Sequence, residues 1–316
     1  MTAVVVPIVV PLAAAAVSIM LGRFPTLRRA VSVTALMVST AASVYLLSQV
    51  TDGSIIVVHV GGWEWPLGIT LVADTLAAIM VAVSSMMLLA VLVYAIGSPK
   101  TDDAKGFFHP VYLILAVGVS ASFLTGDLFN LFVAFEVTLM ASYVLITYGG
   151  NRAQVRHGIT YIVISLAASA LFITAVGLIY AATGTVNMAD LSLRLADIDP
   201  GLRAGLGVLF LVVFGIKAAI FPLFFWLPDS YPAAPSPVTA IFAGLLTKVG
   251  FYAIVRTQTL LFDPGDLPLG LLLVVAAVTM VVGVVGAIAQ HDVRRILSFS
   301  IVGQIGYMIV GVGLFD

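Results

Sequence analysis

Long apolar runs separated by short polar breaks set the pattern of this chain. A membrane span needs about 20 mainly apolar residues, and ten candidate runs approach or exceed that length. They are about Thr2–Leu21, Arg28–Val50, Asp74–Ile96, Phe107–Leu124, Asp127–Tyr148, Gln154–Thr183, Leu202–Phe221, Pro237–Leu261, Leu267–Ala289 and Val293–Phe315. The pattern predicts an all-α polytopic membrane protein of about ten spanning helices, the first of them retained and not cleaved as a signal. Asp74 and Asp127 stand where N-caps belong. Thr51–Thr70 interrupts the pattern: IIVVHVGG and WEWPLGIT read as a short β-hairpin outside the membrane, with Gly61-Gly62 at its turn and Trp63 and Trp65 at the interface. A polar loop, SPKTDDAKG, follows the third span, and a surface segment, Gly184–Pro200, follows the sixth. The seventh span is expected to break at Pro222 and to continue as a short amphipathic piece, PLFFWLPDSY.

Composition agrees with this reading. The chain of 316 residues is 61% hydrophobic and 9% charged, where a soluble domain carries about 25% charged residues. A net charge of −1 gives no sign of nucleic acid. With no cysteine there is no disulfide and no cysteine-ligated zinc or iron–sulfur cluster. His59, His109, His157 and His291 lack metal-ligand spacing. Neither a cofactor nor a metal is expected.

The 14 basic residues sort by loop. Arg23, Arg28, Arg29, Lys100, Lys105, Arg152, Arg156, Arg294 and Arg295 fall on one side, and Arg194, Arg203 and Arg256 on the other. The first side is therefore read as cytoplasmic, which places the N-terminus, the hairpin and the 184–200 segment outside. Two basic residues remain, Lys217 and Lys248, each inside an apolar run. Glu136, near the middle of the fifth span, is the third charge that no loop accounts for. Each costs about 2.5–3.5 kcal/mol at the bilayer centre on insertion scales.

Lysine suits a proton relay because burial lowers its pKa toward neutrality, which arginine does not allow. Opposite signs point to Glu136 pairing with one of the lysines, and a structural ion pair fixing helix register is the plain alternative. Pro222 has no N–H, so the Ala218 carbonyl loses its helical donor one residue from Lys217. Broken helices of this kind mark ion sites in transporters, although proline also kinks membrane helices for packing alone. Ala240, Gly244 and Lys248 share an i, i+4, i+8 face whose small residues admit a close neighbour.

GDLFNLFVAFEVTLMASYVL, GIKAAIFPLFFWLPDSYPAAPSPVTAIFAGLLTKVGFYAIVR and HDVRRILSFSIVGQIGY resemble the proton-translocating antiporter-like membrane subunits. These occur in respiratory complex I, membrane-bound hydrogenases and Mrp-type cation/proton antiporters. DLFNLFVAFEV and GTVNMADLS look most like the D-type branch of the Mrp-type multisubunit Na+/H+ antiporters. The resemblance implies a Glu136–Lys217 pair and a Lys248 that passes protons onward. It also implies about 14 helices with two inverted five-helix repeats, each holding a broken helix. Residues 1–106 would be the N-terminal helices with their hairpin, 107–262 the first repeat, and 263–316 the start of a second. The chain stops before the second broken helix, so a C-terminally truncated fragment is expected.

The function implied is a proton-translocating subunit of a Na+/H+ antiporter complex in the cell membrane. Its partners would be other membrane subunits, protons, Na+ and the lipid bilayer, with no enzymatic chemistry of its own. Two rivals remain: a proton-pumping membrane subunit of a complex I-like or hydrogenase assembly, and a non-transporting membrane scaffold.

Overall fold

A computed structural model describes residues 2–63, 68–98, 106–262 and 269–314. Among the described residues nine helices are long and apolar enough to cross a membrane. They are α1 (Thr2–Met20), α2 (Pro25–Val50), α3 (Thr75–Ile96), α5 (Leu128–Ile146), α6 (Arg152–Thr183), α7 (Pro200–Ala218), α8 (Ser236–Leu260), α9 (Leu269–Ile288) and α10 (Val293–Gly313). The tenth expected span, α4 (Phe108–Leu124), is apolar but 17 residues long, about 26 Å at 1.5 Å per residue. The multi-pass membrane reading follows from these helices. Their exposed positions are as apolar as their buried ones, with Val281, Val284, Val285 and Ile288 of α9 open on the surface, a face that suits lipid or an apolar partner.

Polar residues between the runs start the helices. Asp74 accepts from Ala77 N at 2.9 Å, Asp127 from Asn130 N at 2.7 Å, and Asp199 from Leu202 N at 3.0 Å with Pro200 at the first helical position. Asp292 caps α10 through Arg294 N and Arg295 N. Serines and threonines within the spans turn back on their own helix, as Ser39 does to the Ala35 carbonyl and Thr138 to that of Ala134. That is how hydroxyls are tolerated away from water.

The hairpin is present in a shifted form. Ile56–His59 pairs antiparallel with Thr70–Ala73, and Gly61 and Gly62 take positive φ of 70° and 74° between them. The second strand therefore lies later than the expected WEWPLGIT, because Thr70–Ala73, with β-branched Thr70 and Val72, supplies it. Trp63 is exposed. Trp65, the polar loop with Lys100 and Lys105, and the first residues of the ninth run lie outside the described residues. The 184–200 segment folds into a short helix, Met188–Arg194, and a 3-10 turn, Leu195–Asp197.

The chain divides into two compact units: residues 1–151 with 234–241, and residues 152–233 with 242–316. In the first, α1 packs on α2 and α4, and α4 on α5. The α4–α5 contact is so close that a Cβ at Gly118 would stand 2.7 Å from Thr138 N. Tyr112 anchors the interior by donating to the Leu88 carbonyl at 2.8 Å. In the second unit α7 packs on α6 and α8, and α9 on α10. Phe172, Phe210 and Phe214 form its aromatic centre, the Phe172–Phe214 rings edge to face at 4.9 Å.

Candidate functional site

The site is built on the end of α7. This helix stops at Ala218, three residues before the expected Phe221, and proline does not stop it. Ala219 turns into the left-handed region (φ 63°, ψ 49°). Its N–H donates to the Ile216 carbonyl at 3.3 Å, and Ile220 N–H donates to that of Gly215 at 3.1 Å. This pair of bonds is the Schellman closure of a helix, with alanine where glycine usually stands. Ile220 also lies over Gly215, where a Cβ would meet its Cδ1 at 2.7 Å, the apolar contact that accompanies the motif. Pro222 follows in the turn, after a cis peptide bond.

The helical donor of the Lys217 carbonyl would be Phe221 N–H, which instead donates to Thr279 Oγ1 of α9 at 3.1 Å. The helical donor of the Ala218 carbonyl would be residue 222, a proline without N–H. Trp226 Nε1 donates to the Ile216 carbonyl at 3.1 Å and folds the turn back onto α7. Further along, Arg295 pairs with Asp229 at 2.7 Å, and Arg294 donates to the Pro232 carbonyl at 3.3 Å. The basic pair at the start of α10 thus holds the segment after the break.

Lys217 is the last residue but one of α7, yet its neighbours are mid-helix residues. It is 7% exposed, and its Nζ donates to Ser169 Oγ at 3.2 Å and to the Ser165 carbonyl at 3.4 Å, both near the middle of α6. Thr279, which receives Phe221 N–H, is central in α9. The end of α7 therefore lies at the depth where its neighbours are halfway through their spans. Two neutral oxygens of α6 are among the acceptors of its Nζ.

Lys248 is half-buried at the middle of α8. Just before it the helix widens into a π turn over Phe242–Leu246, a local form found often at functional sites. Lys248 Nζ folds back five residues to the Ala243 carbonyl at 2.7 Å. The two lysine-bearing helices touch through their backbones: a Cβ at Gly250 would stand 2.6 Å from Ala218 N and 2.8 Å from Lys217 C. The structure thus brings the Lys217 and Lys248 turns together within the second unit. Glu136 sits half-buried at the middle of α5, in the first unit. Among the described residues no cluster of histidine, cysteine and carboxylate side chains could hold a metal ion.

Sequence reasoning did not single out Ser165, Ser169, Ala219 or Thr279. The two serines carried a signal, an i, i+4 spacing that puts both on one face of α6. Ala219 carried none, since left-handed helix ends are marked by glycine or asparagine. The π turn has no composition of its own and interrupts the α-register on which the Ala240–Gly244–Lys248 face was drawn.

Broken helices and buried charges of this kind mark ion sites in membrane transporters. Residues 125–315 match the family described as NADH:quinone oxidoreductase/Mrp antiporter, transmembrane, and the chain belongs to that family. It is 44% identical to the D subunit of the Na(+)/H(+) antiporter of Alkalihalophilus pseudofirmus over 99% of its own length and 64% of that protein's. It is 41% identical to the Bacillus subtilis protein of the same name over 98% of its length and 64% of that protein's. The chain thus spans just under two-thirds, 64%, of these curated relatives. Among solved structures it is similar to a chain of the Mrp complex from Dietzia sp. DQ12-45-1b, with TM-score 0.94 and 36% identity over 100% of this chain and 60% of that one. A chain of an archaeal respiratory complex, the membrane-bound sulfane sulfur reductase, gives TM-score 0.92 and 30% identity over 99% of this chain and 64% of that one.

Proposed function

We propose that this chain is the proton-translocating part of a cation/proton antiporter complex, that it exchanges protons for Na+, and that it works beside other membrane subunits as a transporter without catalytic chemistry. Glu136, Lys217 and Lys248 form the relay. A proton arrives at a Glu136–Lys217 pair, separation of the pair releases a proton from Lys217, and Lys248 receives it. Residues 107–262 form the first repeat of the translocating fold, and the broken helix at Ala218 and Pro222 opens its path. The N-terminus lies outside, following the nine basic residues of one set of loops against three of the other. Because the chain has no cysteine, one cysteine introduced at Thr51 reports the sidedness: labelling from the cytoplasmic face alone would reverse the orientation.

The observation that carries the relay is Lys217: a cation buried at the mid-depth end of a broken helix, held by Ser169 and the Ser165 carbonyl and in backbone contact with the Lys248 helix. A packing kink needs no lysine there. The antiporter reading rests on the identity to antiporter subunits, 44% and 41%. A second reading, a subunit of a redox-driven respiratory complex, is favoured by the likeness to the sulfane sulfur reductase chain at TM-score 0.92.

The test is Lys217→Ala and Glu136→Ala in the assembled complex, with ΔpH followed in inverted vesicles on addition of Na+. Each is expected to lose about a hundredfold or more, as proton-transfer groups do, while the complex still assembles. Wild-type exchange in both variants would sink the relay. A wild-type response that required electron transfer and ignored Na+ would favour the respiratory reading.

A further inference from the structure

Thr279 is a buried polar group that the relay does not use, and it holds the end of α7 from another helix. It lies near the middle of α9 and is fully buried. Its hydroxyl donates to the Val275 carbonyl at 2.6 Å, the usual bond of a threonine inside a helix. With its proton committed there, the oxygen still has lone pairs that accept, and Phe221 N–H donates to it at 3.1 Å. Phe221 is the third residue after α7 ends at Ala218. A main-chain N–H released by a helix break needs an acceptor away from water, and Thr279 supplies it.

Both sides of this contact are stiff. Around Thr279, α9 is locked to α10: a Cβ at Gly306 would stand 2.9 Å from the Ala276 carbonyl and from Met280 N, and one at Gly283 would stand 2.5 Å from Gly303 N. α10 holds the chain after the break again further on, through Arg295 to Asp229 and Arg294 to the Pro232 carbonyl. Phe224 meets Phe299 of α10 between these points, with ring centres 6.3 Å apart. On the other side, the Schellman bonds of Ala219 and Ile220 tie the residues before Phe221 to the last turn of α7, where Lys217 sits. A displacement of Phe221 therefore carries to Lys217. Its Nζ reaches α6 at 3.2 and 3.4 Å, the long end of hydrogen-bonding range, so a small displacement changes that hold.

We propose that Thr279 is a positioning residue of the proton path: its hydroxyl fastens the chain after the α7 break to α9, and so sets how closely Lys217 Nζ lies against Ser165 and Ser169. Thr279 neither takes nor gives a path proton. It acts through Lys217, and the inference rests on the relay reading of that lysine.

Thr279→Val keeps the shape and removes the acceptor, while Thr279→Ser keeps the acceptor. Rates are read per assembled complex in inverted vesicles. Thr279→Val is expected to lower the maximal rate of proton translocation about tenfold, since a small misplacement of a reacting group costs that much or more, while Thr279→Ser stays within about twofold of wild type. The half-saturating Na+ concentration should not move, because Thr279 acts on the proton path alone. The deciding variant combines Thr279→Val with Ser169→Ala. Two groups that act through one lysine are not additive, so the double variant is expected to stay within about twofold of the worse single one. Losses that multiply to about a hundredfold show two independent effects and overturn the proposal. A Thr279→Val complex that melts lower yet translocates at the wild-type rate also overturns it, because Thr279 then serves packing alone. Should Thr279→Val not assemble, Thr279→Ala is read in the same way, alone and with Ser169→Ala. Lys217→Ala runs alongside. An inactive Lys217→Ala with an unaffected Thr279→Val removes Thr279 from the path and leaves the relay standing; an active Lys217→Ala removes both.

Discussion

Lys217 and Lys248 solve the same problem, a cation inside a membrane helix, in different ways. Lys248 is held by its own helix, since the π turn exposes the Ala243 carbonyl and the side chain folds back onto it. That arrangement travels with α8 as a unit. Lys217 is held by another helix, through Ser169 Oγ and the Ser165 carbonyl of α6. Its solvation changes whenever the end of α7 shifts against α6. In a relay, the site whose proton affinity must change during the cycle gains from an external partner, and the site that receives and hands on gains from a fixed one. The two lysines differ in that sense, and on the proposed relay the difference gives the switching role to Lys217.

Removing the external partner tests the assignment most strongly. Ser169→Ala takes away one oxygen that holds Lys217 Nζ and keeps the Ser165 carbonyl. A hydrogen bond to a charged group contributes about 1.5–3 kcal/mol, so proton-driven exchange should fall by about tenfold or more in vesicles. No single side-chain truncation has the same effect at Lys248, because its partner there is a main-chain carbonyl. Unchanged exchange in Ser169→Ala would place Lys217 on the same footing as Lys248 and end the distinction.

The sequence shows some parts of this arrangement and hides others, for physical reasons. Hydropathy runs mark the spans because a helix facing lipid must be apolar over most of its surface, and Asp74 and Asp127 mark helix starts because their carboxylates cap. Lys217, Lys248 and Glu136 stand out because a charge inside an apolar run is costly. The end of α7 is hidden. Pro222 points to the right region, but the turn is made three residues earlier by Ala219, whose side chain gives no sign of a left-handed backbone. The π turn is hidden because any residue enters one. Ser165 and Ser169 were visible as a spaced pair but became meaningful only once α7 was laid against α6. The second hairpin strand was displaced because Thr70–Ala73 reads equally well as the approach to the third span.

Ala219 offers the finest test of the contrast between the lysines. Its φ of 63° costs an L-residue roughly 1–2 kcal/mol, which glycine escapes. Glycine gives back part of this through the greater freedom of its unfolded chain, about 0.5–1 kcal/mol. Ala219→Gly should therefore stabilise the protein by roughly 0.5–1 kcal/mol and raise its thermal midpoint in detergent by about 1–2 °C. The Schellman bonds to Gly215 and Ile216 are main-chain bonds and survive the change. If the strained end of α7 is part of the device that loosens Lys217 from α6, the more stable variant exchanges protons more slowly, since relief of strain removes a bias toward motion. A higher midpoint with slower exchange ties the switching role to this helix end, and a lower midpoint shows that Ala219 carries no strain to relieve. A higher midpoint with unchanged exchange separates the hold on Lys217 from this helix end. The same kind of substitution at Lys248 has no counterpart, because the backbone that holds it is helical throughout.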